Sequence, residues 1–124
     1  DEALSEEYFD VIRYFNASDK IIASVCVASL ALGSAGILKQ KQATIYHQEG
    51  GKRKQQLENT GAIFTDQAIV CDTNIITSTG PGTAIEVALI LLEKLTNKAN
   101  ADKLRIKMRI PTPHPQWYIT PQVI

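Results

Sequence analysis

Charge of one sign, cysteine and long apolar runs are all scarce in this sequence, and each scarcity removes a class of function. Thirteen basic residues are matched by thirteen acidic ones. A nucleic-acid module usually gathers a basic excess on one face, so binding to DNA or RNA is not expected. The short run Lys52-Arg53-Lys54 lies between Glu49 and Glu58 and reads as a solvated helix face. No stretch approaches the ~20 apolar residues of a membrane span, and no charged-then-apolar leader opens the 124 residues. A soluble, cytoplasmic protein without membrane contact is the expectation. The only cysteines are Cys26 and Cys71, with no other ligand pattern around them. That argues against a disulfide scaffold and a zinc centre, and nothing calls for a metal or a cofactor.

What is present centres on Cys26. It sits in Ser24-Val25-Cys26-Val27-Ala28, between the apolar run Lys20-Ile21-Ile22-Ala23 and a small-residue helix starting near Ser29. This order predicts a nucleophile elbow, a sharp strand-to-helix turn that holds a side chain exposed above a sheet. The turn is tight enough that residues two before and two after must be small, here Ser24 and Ala28. The Val27 N–H would point into the same space at a helix N-terminus, where partial positive charge favours an anionic sulfur. The competing reading is a buried structural cysteine packed as a small hydrophobe.

Along the chain, Ser5 is placed to cap a helix whose Tyr8, Ile12 and Phe15 form one apolar stripe. Ile21 to Cys26 predicts a buried parallel strand, and Ser29 to Leu38 a helix in which Gly33 and Gly36 permit close packing or end it. Ala43-Thr44-Ile45-Tyr46 predicts a second strand, and Lys52 to Asn59 a polar helix stopped by Gly61. A hairpin is expected from Ala68–Cys71 and Asn74–Thr77 around Asp72-Thr73. Thr79-Gly80-Pro81-Gly82-Thr83 then leads into Ala84 to Leu95, a helix apolar on most sides and therefore expected to be covered. A last helix is placed from Ala101 to about Met108, after which Pro111, Pro113, Pro115 and Pro121 predict an extended tail over 111–124. Alternating strands and helices imply an α/β sheet with helices on both faces, and such sheets bind ligands beyond the strand carboxyl ends, where Cys26 lies.

Two segments carry a resemblance to a known family. Ile22 to Leu38, with Ser29-Leu30-Ala31-Leu32-Gly33-Ser34-Ala35-Gly36 after the elbow, is similar to the nucleophile turn and helix of the ThiJ/PfpI superfamily, above all its isocyanide hydratase branch. Thr77 to Leu89 resembles the family's Gly-Pro-Gly-Thr helix start. The resemblance implies a flavodoxin-like sandwich with a mostly parallel sheet, commonly a dimer, with Cys26 as nucleophile. Residues 1–110 then match the C-terminal portion of such a domain, so the sandwich is expected to be incomplete in this chain. The acidic residue that relatives bring to the cysteine from an earlier strand or loop would come from a missing N-terminal part, supplied in a longer protein or by a second chain.

The departures are specific. Val27 stands where peptidase-like relatives place His and where hydratases commonly place Thr, which disfavours proteolysis and leaves isocyanide hydration open. Many relatives place a His after the Ala-Thr strand; Tyr46 falls at that step and His47 one residue later. Adjacent strand residues face opposite sides, so only one of the two would point at Cys26 unless the strand ends there. Tyr46 is favoured by register and His47 by chemistry, against a packed Tyr and a surface His. His114 lies between prolines and has little catalytic character, Trp117 and Tyr118 read as anchors on a neighbouring chain, and Cys71 reads as packed. The resemblance implies a cysteine-dependent hydrolase or hydratase acting on a small carbonyl, amide or isocyanide compound, with Tyr46 or His47 moving a proton. The alternative is a non-catalytic domain in which Cys26 senses redox state or lines a regulatory pocket.

Overall fold

A computed structural model describes residues 5–119. The first helix, α1 (Glu6–Ala17), starts where expected, with the Ser5 hydroxyl accepting from the Tyr8 N–H and Glu6 and Glu7 in its first turn. Its buried face differs from the expected stripe. Phe9 and Ile12 are buried, whereas Tyr8 and Phe15 are 46% and 40% exposed. Arg13, 43% exposed, lies at the border of that face, its Nε donating to the Ala35 carbonyl at 2.8 Å.

Strand β1 (Ile22–Ser24) runs parallel to β5 (Ile75–Ser78), which pairs antiparallel with β4 (Ile69–Asp72), giving the order β1-β5-β4. The hairpin turn falls one residue later than expected, at Thr73-Asn74, since Asp72 is still in the ladder opposite Ile75. Alternation along β5 divides the core. Ile75 packs with Phe9, Ile12, Leu32 and Leu38 on one face, while Ile76 packs with Ala68, Ile69 and Val87 on the other. Helices therefore cover both faces: α1 and α2 (Ser29–Ser34) one, and α4 (Ala84–Leu95) the other.

A second parallel pair is short. β2 (Gln42–Ala43) pairs with β3 (Ile63–Phe64), so the strand expected over residues 43–46 leaves its ladder after Ala43. Side chains of the first sheet take over there: Asp72 Oδ2 accepts from the Gln42 N–H and Thr77 Oγ1 from the Thr44 N–H. The Thr44 hydroxyl is fully buried and has no partner among the described residues.

Glycines end two elements. Gly36 (φ +90°) follows α2, and Gly61 (φ +94°) follows α3 (Arg53–Asn59). Gly33 acts differently, because a Cβ there would meet the Thr60 side chain at 2.5–2.8 Å. Helix α4 is less covered than its apolarity suggests, with Ile85 55% and Leu95 69% exposed. The next helix, α5 (Lys98–Met108), begins three residues earlier than expected because Asn97 caps it through the Asn100 N–H.

The tail departs most from expectation. Residues Pro115–Ile119 form a short helix, α6, rather than extended chain. Proline at the first helical position lacks only an N–H that would be unpaired there anyway, and His114 Nδ1 accepts from the Gln116 N–H in the manner of a cap. Pro121 lies outside the described residues.

Alanine normally improves a helix interior by about 0.5–1 kcal/mol over glycine. Gly33→Ala is expected to reverse that sign, losing about 1–3 kcal/mol in urea unfolding through the Thr60 overlap. Thr44→Val, which removes an unpaired buried hydroxyl, is expected to leave stability unchanged or raise it by about 1 kcal/mol.

Candidate active site

Cys26 follows β1 and opens a single 3-10 turn over Cys26–Ala28 that runs directly into α2. Its backbone is left-handed at φ +64°, a conformation that costs a non-glycine residue about 1–3 kcal/mol and persists only when the surroundings impose it. Three contacts impose it here. The buried Ser24 and Ser29 hydroxyls bond across the elbow at 2.8 Å, Ser78 Oγ donates to the Ser24 carbonyl at 3.0 Å, and the Tyr46 N–H donates to the Cys26 carbonyl at 3.2 Å. The thiol is half-buried. Among the described residues no acceptor takes the Val27 N–H, and the Val27 side chain stays partly exposed.

Tyr46 and His47 lie beyond the end of β2, where strict alternation no longer applies, and both line one cleft of about 510 Å³. Cys26 and Val27 are not among its lining residues; the Tyr46 backbone is the link between elbow and cleft. The Tyr46 hydroxyl accepts from Gln48 Nε2 at 2.9 Å. His47 is engaged at both ring nitrogens, Nδ1 at 2.6 Å from the Ile45 carbonyl and Nε2 at 3.2 Å from Asp66 Oδ1, with its ring edge-on to Phe64. Asp66 was not legible as a site residue, since nothing local in Thr65-Asp66-Gln67 announces a partner nineteen positions earlier.

The far wall of the cleft comes from the tail. Trp117 lines it; the Trp117 and Tyr118 rings meet edge-to-face at 5.0 Å, and both pack against Ala68, Ile69 and Val87. The tail is tied down by the Ala68 N–H to the Tyr118 carbonyl, and by a charged cluster that sequence reading missed. Glu86, 6% exposed, accepts from Arg105 Nη2 at 2.6 Å, Arg105 Nη1 at 3.0 Å and the Tyr118 hydroxyl at 2.9 Å. Arg105 also donates to the Pro111 carbonyl. Burial pushes the Glu86 carboxyl up, but the hydrogen bonds from Arg105 and Tyr118 and the guanidinium charge outweigh it and hold the group below its ordinary value. Cys71, expected to be packed, is instead exposed on the edge strand β4. Desolvation around its sulfur still raises the thiol above its ordinary value, with Lys94 opposing. His114 stands at the start of α6, away from the cleft lining.

Comparison with known proteins matches the fold. The sequence model of the DJ-1/PfpI family covers residues 2–94. Drosophila melanogaster dj-1beta is 35% identical over 95 residues, 77% of this chain and 49% of that protein. Its crystal structure superposes with a TM-score of 0.76 over 89% of this chain and 57% of that one. The isonitrile hydratase of Pseudomonas putida is 33% identical over 106 residues, 83% of this chain and 43% of that enzyme. The glutathione-independent glyoxalase DJ-1 of Schizosaccharomyces pombe is 33% identical over 101 residues, 82% of this chain and 50% of that enzyme. The chain thus spans about half the length of these relatives or less.

The Glu86 cluster generates a pH-dependent expectation. A carboxyl held low in the native state contributes stability above its ordinary value of 4.5, and that contribution is lost as pH falls through the lowered native value. Glu86→Gln, which leaves Arg105 without its counter-charge, is expected to lose about 3 kcal/mol near neutral pH, the low end for a broken buried pair. Urea midpoints of the wild type and the variant should converge as the pH is taken below about 4.5.

Proposed function

The chain belongs to the DJ-1/PfpI family, and from that premise we propose that it carries the nucleophile of a cysteine-dependent hydrolase- or hydratase-type reaction on a small electrophilic compound. The observation that supports this most is Cys26 held at φ +64° between a parallel strand and a helix by three separate hydrogen-bonded braces. Strain maintained in this way at a half-buried thiol has no use in packing.

The Cys26 thiolate attacks the electrophilic carbon of a carbonyl, amide or isonitrile compound, forming a C–S bond while an electron pair moves onto the adjacent oxygen or nitrogen. The unpaired Val27 N–H stabilises the developing charge. The proton-transfer candidates are Tyr46, whose backbone N–H holds the Cys26 carbonyl, and His47, which lies beside Asp66. From a carbonyl compound bearing a leaving group, such as an amide, the adduct expels that group, protonated, to leave a thioester, and from an isonitrile protonation of the attacked carbon leaves a thioimidate; water adds to that unsaturated carbon, the C–S bond breaks, the electron pair returns to sulfur, and a carboxylic acid or an N-substituted formamide is released. The carboxyl group that the resemblance places beside the cysteine would come from the portion of the relatives that this chain does not span. Val27 following Cys26 argues against proteolysis.

A second reading is favoured by one observation: both His47 nitrogens face oxygens of Ile45 and Asp66. A thiol without a dedicated base suits reversible oxidation to a sulfenate, and a redox-sensing role follows from that.

Peptide-resolved alkylation at neutral pH separates the active elbow from an inert one, with Cys71 as internal reference. Cys26 is expected to react faster than Cys71, whose thiol is pushed up. Cys26→Ser is expected to abolish turnover of isonitrile and small carbonyl substrates. Equal reactivity of the two thiols overturns the proposal, and sulfenate trapping at Cys26 without any turnover supports the sensor instead.

A further inference from the structure

The cleft beside the elbow has a chemical character that the family assignment does not supply. Its large aromatic side chains are Tyr46, just after β2, and Trp117, in the tail helix α6, and its only carboxylate is Glu49. No lysine or arginine lines it, and among the described residues Glu49 has no ion-pair partner. His47 also lines it, its Nε2 lying 3.2 Å from Asp66 Oδ1. Trp117 lies beyond residues 2–94, the stretch that the family model covers, so this wall belongs to the chain's own tail.

Both aromatic side chains are set before any ligand arrives. Tyr46 is held by Gln48 at its hydroxyl, and Gly80 lies beside its ring, where an added Cβ would sit 3.8 Å away. Trp117 is restrained by Tyr118, which Glu86 and Arg105 anchor. Prearranged aromatic surface attracts a cation through the ring quadrupole, and a carboxylate at the same site adds a counter-charge while repelling anions. We infer that this cleft selects small organic cations, an ammonium or guanidinium group carried on an apolar body, with Trp117 and Glu49 as specificity-determining residues. As a statement about substrates this rests on the catalytic reading above; as a statement about binding it stands without it.

Trp117 is the only tryptophan in the chain, so its emission reports directly on the cleft. The full chain is titrated at constant ionic strength with benzyltrimethylammonium, benzyl alcohol and benzoate, three probes sharing one ring and differing in charge. The expected result is a saturable emission change with the cation at least about fivefold tighter than with the alcohol, and weakest with benzoate. Glu49→Gln, a change at an exposed position, is expected to reduce the preference for the cation about threefold. Trp117→Leu, followed by calorimetry, is expected to weaken the cation more than the alcohol. Benzoate binding as tightly as the cation, no saturable response, or Glu49→Gln without effect on the preference each overturns the inference. Cys26→Ser should retain the full emission response, so a chain that binds the cation without turning over any substrate refutes the catalytic reading alone.

Discussion

The backbone at Cys26 is the constraint around which the rest of this molecule is organised. A left-handed non-glycine residue is unfavourable by itself, so its neighbours must hold it. They come from three places in the sequence: Ser24 and Ser29 flank the turn, Ser78 ends β5, and Tyr46 follows β2. Each brace uses a short polar side chain or a backbone group, because anything larger would fill the space the turn needs. The parallel register Ser24↔Thr77 places Ser78 within reach of the Ser24 carbonyl, so sheet pairing and elbow geometry are one arrangement.

The tail is held by a different kind of force. Glu86, Arg105, Tyr118 and the Pro111 carbonyl make a nearly closed set of hydrogen bonds under a surface helix. Such a buried charge pair adds little over a well-packed apolar substitute, yet losing one partner is severe because the other charge stays desolvated. Its value is directional, since it fixes where α6 lies and therefore where Trp117 stands.

The two systems differed in how far the residues disclosed them. The elbow was legible because its signals are local: a β-branched run, small residues at both flanks, and a helix that starts with small residues. The end of α3 was legible for the same reason, through Gly61, whereas α2 stops at Ser34, four residues short of the expected Leu38, with Gly36 just beyond it. The Glu86–Arg105–Tyr118 cluster joins residues 19 and 32 positions apart, and no period or motif encodes that distance. One hint was present, a lone carboxylate within the apolar Ala84-Ile85-Glu86-Val87-Ala88-Leu89. The tail helix was obscured by counting prolines without asking which of them sits at a first helical position. The two-residue length of β2 was hidden because Thr44 and Ile45 are as buried as strand residues while bonding otherwise.

That last feature changes what a measurement of local motion would mean. In an ordinary sheet, an amide that resists deuterium uptake reports how seldom two strands separate. The Gln42 and Thr44 amides are held by the Asp72 carboxylate and the Thr77 hydroxyl. Their exchange follows rotamer changes of those two side chains, while the Ile63 and Thr65 amides, bonded to the Lys41 and Ala43 carbonyls, follow the parting of the strands themselves. One short stretch of backbone thus separates side-chain fluctuation from sheet opening.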